Sequence, residues 1–535
     1  MSETKRDYVP SAQQAAYYDF IDNGRGSVVV EAVAGAGKTE TLARGVMRMR
    51  GFVTVMMFNK SAAEEFKSRL ERLGGATREG NRIMTRKGLV VGTCHSIGLN
   101  AFRSLERDAD INEHKVDDII ERMVSSPETD PTTVALLADN GNFIKRTVSI
   151  AKQMLAGVKF EVDNLEIWLR MVQHFSLDSE LAEETDVAAL VQLCGRVFNL
   201  SAKRCRSTPD RRAEIDYDDM IWSPIFYKAR FFTVDHVVID EAQDTNPARR
   251  ELAARCLKPG GRLHACGDSR QAIYGFTGAD HDALELIIKR FNAVRMPLTV
   301  TYRCPKAVVR HARQWVSHIQ AHDSAPEGEV RGVILDKPEA GKKPRPWFVS
   351  DPLGPTDAVI CRYNKPLVSL AFNLLKNGIA CKMEGRDIGQ GLIVLINRLK
   401  AKTLDALEPK IEKWRAKEVT KARAKKSESQ EQAVNDKADC LLVFLEACRA
   451  EGKNRTDCMV QKIADLFADD VKGILTLCSG HKSKGREWPR VFWVQTEQRG
   501  NRELQPHEQL QEDNIKYVIT TRAQETLVLL SEKTA

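Results

Sequence analysis

Two short stretches of this 535-residue chain have the residue types and spacing to handle a polyphosphate. The first is Val33-Ala34-Gly35-Ala36-Gly37-Lys38-Thr39, directly after the apolar run Val28-Val29-Val30-Glu31-Ala32. A small, Gly-rich loop of this kind turns its backbone N–H groups inward around phosphate oxygens. Lys38 then falls on the outer phosphates and Thr39 on Mg²⁺. The second is Asp240-Glu241-Ala242-Gln243-Asp244, which follows His236-Val237-Val238-Ile239. A strand that ends in carboxylates can place Asp240 in the shell of Mg²⁺ and Glu241 against an attacking water. Each stretch alone has an ordinary explanation. A Gly-Ala-Gly sequence is a common tight turn, and an Asp-Glu pair is a common solvated strand end. Ala32 also stands where the usual loop pattern begins with Gly. Both stretches in this order, each behind a β-branched run, point to nucleoside triphosphate hydrolysis.

Such groups act together only if strands and helices hold them. Strand-like runs occur at Val53–Phe58, Leu89–Thr93, Val237–Ile239, Leu263–Cys266, Leu298–Thr301, Ala358–Cys361, Ile474–Leu477, Val491–Val494 and Thr526–Leu530. They alternate with helical patterns, which predicts parallel α/β architecture. The runs fall into two groups, before and after about residue 292, so two sheets and two α/β domains are expected. Residues 101–215 and 391–471 break the alternation and read as mainly helical. In the second of these, Leu404, Leu407, Ile411 and Trp414 recur at helical spacing. Lys417, Lys421, Arg423, Lys425 and Lys426 follow. They read either as a solvated helix face or as a basic arm for nucleic acid.

Hydrophobic content of 42% and charged content of 29% are those of a globular protein, and the length calls for several domains. A net charge of +8 is compatible with a polyanion partner. No apolar run is long enough to span a bilayer, and the charged start of the chain lacks the apolar core of a secretory signal. The twelve cysteines are scattered, with no C-x-x-C pair, so no zinc or iron–sulfur site is expected and reduced thiols in a cytoplasm fit best.

In open α/β sheets, ligands bind beyond the carboxyl ends of the strands. Phe58-Asn59-Lys60-Ser61-Ala62-Ala63 and Gly92-Thr93-Cys94-His95-Ser96 therefore share an edge with the loop. So does the run from Gly267 to Ala279. In it, Gln271 is a neutral donor able to sense a γ-phosphate. Tyr274 and Phe276 are aromatics in a polar, Gly-rich loop, suited to stacking on unpaired bases or to core packing.

The order of these segments resembles the UvrD/Rep/PcrA family of superfamily 1 DNA helicases. The matching residues are Gln13; the loop 32–39; 58–63; 92–96; Ile215-Asp216-Tyr217-Asp218-Asp219; 240–244; 267–279; Thr301-Tyr302-Arg303-Cys304-Pro305; His481-Lys482-Ser483-Lys484-Gly485-Arg486-Glu487-Trp488; and Tyr517-Val518-Ile519-Thr520-Thr521-Arg522-Ala523. The resemblance implies two RecA-like P-loop domains, each carrying a mainly helical insertion, with ATP and Mg²⁺ between them. The first would comprise residues 1–100 and 216–292, with insertion 101–215. The second would comprise 293–390 and 472–535, with a short insertion 391–471. Catalysis would rest on Lys38, Asp240, Glu241, Gln271, Arg303 and Arg522, the two arginines reaching the γ-phosphate from the second domain. Gln13 would read the adenine edge and Tyr302 would stack on adenine. Glu487 would contact the ribose, and Gly485, Glu40 and the loop residues Ala34–Thr39 would complete the nucleotide set. Thr39 and Asp240 would hold the metal. Phe58, Asn59, His95, Tyr274 and Phe276 would lie along single-stranded DNA.

The implied activity is that of a DNA-dependent ATPase and DNA helicase that moves 3′→5′ on single strands and engages single-strand/duplex junctions. Two alternatives stand beside it: a translocase that displaces proteins with little unwinding, and a non-catalytic DNA-bound scaffold. The expected compartment is the cytoplasm of a prokaryote or of a virus-infected host. A fused nuclease is not expected, because the chain ends soon after Arg522. Three positions depart from the family pattern. Glu40 and Thr277 stand where the family usually carries Arg, and segment 391–471 is much shorter than the family's second insertion.

Overall fold

The computed structural model describes residues 8–532 apart from 81, 176, 182–184, 274–281, 336–350, 378, 425–427, 468–473 and 496–505. The chain divides into two compact units, residues 1–298 and 299–535.

The first unit is built on a six-stranded, wholly parallel sheet. Its order is Val294–Leu298, Val28–Ala32, Leu257–Gly267, Val234–Ile239, Val53–Met57, Leu89–Thr93. The β-branched runs form its middle. Val28, Val29, Val53, Val55, Val237 and Val238 are fully buried, as strands covered by helices on both faces require. Because the strands are parallel, their carboxyl ends share one edge. Loop 33–37, Phe58, the Thr93-Cys94-His95 corner, Asp240 and Asp268 all leave from that edge. Strand Leu257–Gly267 lies between the loop strand and the carboxylate strand. It brings Asp268 and Gln271 to the same edge as Lys38 and Glu241.

The boundary between units falls after Leu298 rather than at 292. Strand Val294–Leu298 pairs in register with Val28–Ala32, from Val28 opposite Val294 to Ala32 opposite Leu298, and so completes the first sheet. The expected strand Leu298–Thr301 is split. Val300–Thr301 pairs instead with Gln320–Ala321 in the second unit. An antiparallel hairpin, Ala76–Glu79 with Arg82–Thr85, is a further element that the apolar pattern did not reveal. Its side chains are mostly exposed, so burial imposed no alternation on the sequence.

Segment 101–215 is helical, with helices Lys115–Ser125, Pro131–Asp139, Gly141–Gln153, Leu165–His174 and Val187–Arg204. Its two ends are tied by the parallel pair Asp110–Ile111 and Glu214–Ile215. The insertion shares one hydrophobic core with the sheet. Trp168 packs edge-on against Phe198 at 5.9 Å, and Phe198 against Trp222 at 5.1 Å. The Trp222 indole donates to the Ala156 carbonyl at 2.9 Å. Beside this core lies a buried ionic cluster. Lys115 and Lys152 both pair with Asp219, and Lys152 also pairs with Asp216 at 2.6 Å.

The second unit holds a second six-stranded parallel sheet. Its order is Glu329–Leu335, Ala523–Glu532, Trp488–Gln495, Ala358–Cys361, Leu475–Ser479, Cys381–Met383. Between Met383 and Leu475 the described residues form helices Arg386–Leu399, Leu404–Ala424, Glu428–Ala450 and Thr456–Leu466. Leu404, Leu407 and Ile411 are fully buried and Trp414 packs against the same core, so the helical stripe faces inward. In the basic stretch, Lys417 is exposed and Arg423 pairs with Glu431 at 2.7 Å. Lys425 and Lys426 lie outside the described residues, as does the side chain of Lys421.

Candidate nucleotide and single-strand site

Strand Val28–Ala32 ends, the chain turns through loop 33–37, and helix Lys38–Arg48 begins. Gly35 and Gly37 sit at φ +72° and +76°, backbone that an L side chain adopts only with strain. These left-handed glycines on either side of Ala36 curl the loop around a concavity, the curl closed by the Ala36 N–H donating to the Val33 carbonyl at 3.2 Å. Helix Lys38–Arg48 has no side-chain cap, so its first N–H groups face that concavity. Ala34 and Ala36 are buried beneath it. The loop is anchored from behind by Gln14, whose amide nitrogen donates to Thr41 Oγ1 at 3.0 Å. Gln14 also closes the capping box of helix Ala12–Asn23 with Ser11. The neighbouring Gln13, expected to read adenine, is half-buried on the same first turn. Gln14 was not singled out in the sequence because its role is contact with Thr41, far along the chain.

The two expected halves meet at the sheet edge. Lys38 Nζ donates to Glu241 Oε2 at 3.1 Å, and Thr39 Oγ1 donates to Asp240 Oδ2 at 3.1 Å. Burial alone would lower the Lys38 pKa, but Glu241, Asp268 and Asp240 hold the ammonium above its ordinary value. Burial and the Glu241 charge push Asp240 up to about 6, against the opposing pull of Lys38 and the Glu241 N–H. Two oxygens 3.1 Å apart fit adjacent corners of an octahedral Mg²⁺ shell, whose edges are about 3 Å for metal–oxygen bonds near 2.1 Å. Thr39 and Asp240 therefore fit the metal the resemblance implies. Glu241 occupies the left-handed region at φ +52°, which is uncommon for a residue with a side chain and costs on the order of 1 kcal/mol.

Gln243 joins this pair to the next strand. Its amide donates to Glu241 Oε2 at 2.5 Å and its oxygen accepts from the Asp268 N–H at 3.0 Å. Asp268 Oδ2 in turn accepts from Gln271 Nε2 at 2.7 Å. Burial raises the Asp268 pKa, with Lys38 and Gln271 opposing. Gln271 is thus linked to Glu241 through the side chain and backbone N–H of Asp268 and the side chain of Gln243. Glu40 does not leave its charge bare beside the loop. It accepts from Arg44 at 2.6 Å and from Arg69 at 3.1 Å, so arginine is present at this corner although not at position 40.

Further along the edge, Asn59 caps helix Lys60–Arg72 by accepting from Ala62 N at 2.8 Å, and Phe58 stands exposed just before it. His95 lies in the first turn of helix Cys94–Phe102. Burial, then the nearby Arg249 charge, lower its pKa to about 4, so the ring is neutral near pH 7. Tyr217, 54% exposed, meets His95 edge-on at 6.3 Å. Phe58, His95 and Tyr217 thus line one edge as half-exposed aromatic groups. Tyr217 was visible in the sequence as part of a motif, but nothing in residues 215–219 distinguished it from a core aromatic. Tyr274, Phe276 and Thr277 lie outside the described residues.

In the second unit, Tyr302 is 47% exposed and lies against the His322 ring at 4.9 Å and 33°. Arg303 forms an ion pair with Glu487, although its Nε is not aligned for a hydrogen bond. The expected γ-phosphate and ribose ligands are therefore neighbours. Gly485, at φ +81°, shapes the turn before Glu487. Arg522 is almost completely buried. It donates to the Val518 carbonyl at 2.9 Å, the Arg486 carbonyl at 3.1 Å and Thr521 Oγ1 at 3.3 Å. Its guanidinium is engaged within its own unit.

A parallel sheet whose first strand runs into a glycine-curled loop, with Lys38 and Thr39 set against strand-end carboxylates, defines a P-loop nucleotide-binding fold. More narrowly, the chain belongs to the UvrD/REP helicase family: residues 12–292 match the profile of the UvrD/REP helicase N-terminal domain. It is 24% identical over 315 residues to the ATP-dependent DNA helicase Rep of Salmonella typhimurium, a match covering 54% of this chain and 40% of that one. With Rep of Escherichia coli the match is 24% over 331 residues, 57% and 42% of the two chains. With the ATP-dependent DNA helicase PcrA of Staphylococcus aureus it is 25% over 313 residues, 55% and 38%. The matched stretch is thus less than half the length of each relative. Among solved structures, arterivirus nonstructural protein 10 (helicase) overlaps 97% of this chain and 61% of its own at 10% identity. Its TM-score of 0.34 is too low to bear on the fold.

Proposed function

We propose that the chain is a DNA-dependent ATPase that moves on single-stranded DNA, in the 3′→5′ direction, and couples hydrolysis to strand separation. The observation that carries this reading is the Lys38–Glu241 and Thr39–Asp240 assembly on the same sheet edge as Phe58, His95 and Tyr217. Loop 33–39 would cradle the phosphates of ATP, with Lys38 on the outer ones. Thr39 and Asp240 would hold Mg²⁺, which when bound neutralises phosphate charge. Glu241 would orient and polarise the attacking water, and the Gln243–Asp268–Gln271 chain would report on the γ-phosphate. Tyr302 would stack on adenine with Gln13 at its edge, and Glu487 would take the ribose. Arg303 and Arg522 would supply the fixed cations that offset transition-state charge. In that role each would exchange its present partners for phosphate oxygens. The aromatic edge would stack on bases, each worth about 1–3 kcal/mol.

A second reading has one observation in its favour. Among the described residues, four helices stand between Met383 and Leu475. An insertion this small gives less surface for duplex, which favours a translocase that displaces proteins with little unwinding. The scaffold reading requires no turnover. ATP hydrolysis measured with single-stranded DNA, duplex DNA and RNA, beside unwinding and protein-displacement assays, separates the three. Stimulation by single-stranded DNA supports the main reading. Turnover that no nucleic acid changes would refute it.

A further inference from the structure

Arg249 has no part in the site as expected from the sequence, yet it stands where the aromatic edge meets the carboxylates. It lies in helix Pro247–Arg255, whose cap Asn246 accepts from the Arg249 N–H at 2.9 Å. Its guanidinium carbon sits 5.1 Å over the Phe58 ring. One terminal nitrogen donates to the Asp244 carbonyl at 3.2 Å. Its Nε is buried and, among the described residues, has no hydrogen-bond partner. The side chain borders two adjoining concavities, one lined by Phe58, Cys94, Glu241 and Asp244, the other by His95 and Asn246. A half-buried guanidinium with an unused donor is costly unless an anion completes it. Neutral His95 cannot supply a cation here near pH 7. Lys152 also lines the second concavity but is paired with Asp216 and Asp219, so among the described lining residues Arg249 is the cation with an unused donor.

Its second contact gives it a route to the chemistry. Asp244 ends the short 3₁₀ turn Ala242–Asp244, which starts directly after Glu241 at φ +52°. A pull on the Asp244 carbonyl acts on the turn that sets the Glu241 backbone.

We propose that Arg249 is a positioning residue: it holds a phosphodiester of the single strand, against the face of Phe58, and passes the occupancy of that site to Glu241 through the Asp244 carbonyl. This deepens the DNA-stimulated ATPase proposed above and rests on it. The other source of the same chemistry is a phosphate of ATP, and the two differ in which Michaelis constant moves.

The test uses the full chain, poly(dT) as probe, and the variants Arg249→Gln and Arg249→Lys. In Arg249→Gln, the KM for poly(dT) should rise about tenfold, with a far smaller change in the KM for ATP. The salt dependence of poly(dT) binding should lose about 0.7 of its log–log slope, the share of one phosphate on a single strand. The kcat at saturating poly(dT) should fall several-fold. Arg249→Lys keeps the charge but not the planar fork that serves two acceptors. It should restore the salt slope and leave kcat low. If the Gln variant fails to fold, the Lys variant still decides, because normal kcat there removes the coupling role. A larger shift in the KM for ATP than for poly(dT) would assign Arg249 to the nucleotide and overturn the proposal. So would stimulation and slope unchanged in Arg249→Gln. If poly(dT) fails to stimulate the unmodified chain, the broader reading falls, and this one with it.

Discussion

Replacing Asp219 by Asn should unfasten the helical insertion from the sheet it serves. Asp219 is fully buried and is the shared counterion of Lys115 and Lys152, both also buried. It also accepts from the Asp216 N–H at 3.0 Å. Removing its charge leaves two ammonium groups to the remaining acceptors. Lys152 keeps Asp216 at 2.6 Å. Lys115 keeps the Ser201 carbonyl at 3.0 Å and the Glu214 carbonyl at 3.3 Å, but no carboxylate. Breaking a buried pair by removing one partner costs about 3–5 kcal/mol. With Lys152 partly compensated, a loss of about 4 kcal/mol is expected, nearly a thousandfold in the folding equilibrium. Trp168 and Trp222 lie in the adjoining core, so urea unfolding followed by tryptophan fluorescence reads it. The double variant Lys115→Met with Asp219→Leu should be less destabilised than Asp219→Asn, because an ammonium leaves with its carboxylate. A loss below about 1 kcal/mol in Asp219→Asn would show that the cluster does not hold the insertion.

Further outcomes follow from the same geometry. Glu241→Gln should retain nucleotide binding and lower turnover at least about a hundredfold, the scale for a group acting on the attacking water; near-normal turnover would remove Glu241 from that role. Arg522→Ala or Arg303→Ala should lower kcat by orders of magnitude while sparing single-strand affinity without nucleotide; selective loss of DNA binding would place these arginines elsewhere. The His95 pKa is lowered to about 4 by burial and Arg249, whereas the unfolded chain takes up this proton below 6.5. The folded state therefore loses stability as pH falls from 6.5 toward 4, and His95→Gln should flatten that part of the melting-temperature profile; an unchanged profile would mean that the folded ring is protonated. Exchanging Lys417, Lys421, Arg423, Lys425 and Lys426 for Gln should flatten the salt dependence of junction binding if the stretch touches duplex phosphates, by about 0.9 in slope per contact; an unaltered slope leaves it a solvated helix.

The nucleotide loop and the strand-end carboxylates were legible because their chemistry is local. A glycine curl, a lysine and a β-branched run sit within a dozen residues, and so do Ile239 and Glu241. Strand identity was legible for the same reason, since buried parallel strands are short apolar runs. Partnership was less so. That Gln243 bridges Glu241 to Asp268, that Gln14 braces Thr41, and that Arg249 covers Phe58 depend on which strand ends become neighbours. Glu40 was read as a lost arginine contact, whereas Arg44 one turn on and Arg69 on the next helix surround it. The first sheet's last strand was assigned across the domain boundary because Val294–Leu298, with exposed Val294 and Arg295, has little apolar signal at its start.

The order of strands in the first sheet has a consequence for how the protein is made. Strand Val28–Ala32 pairs only with Leu257–Gly267 and Val294–Leu298. During synthesis it therefore leaves the ribosome with both edges bare, and stays so until the chain has grown past residue 257. Val28-Val29-Val30 is then an unpaired β-branched segment, the kind that seeks another chain. Meanwhile the strands Val53–Met57 and Leu89–Thr93 can already pair with each other. The phosphate loop, among the first parts of the fold to be written, is among the last to be framed, and a nascent chain is exposed to misassociation for as long as that framing takes.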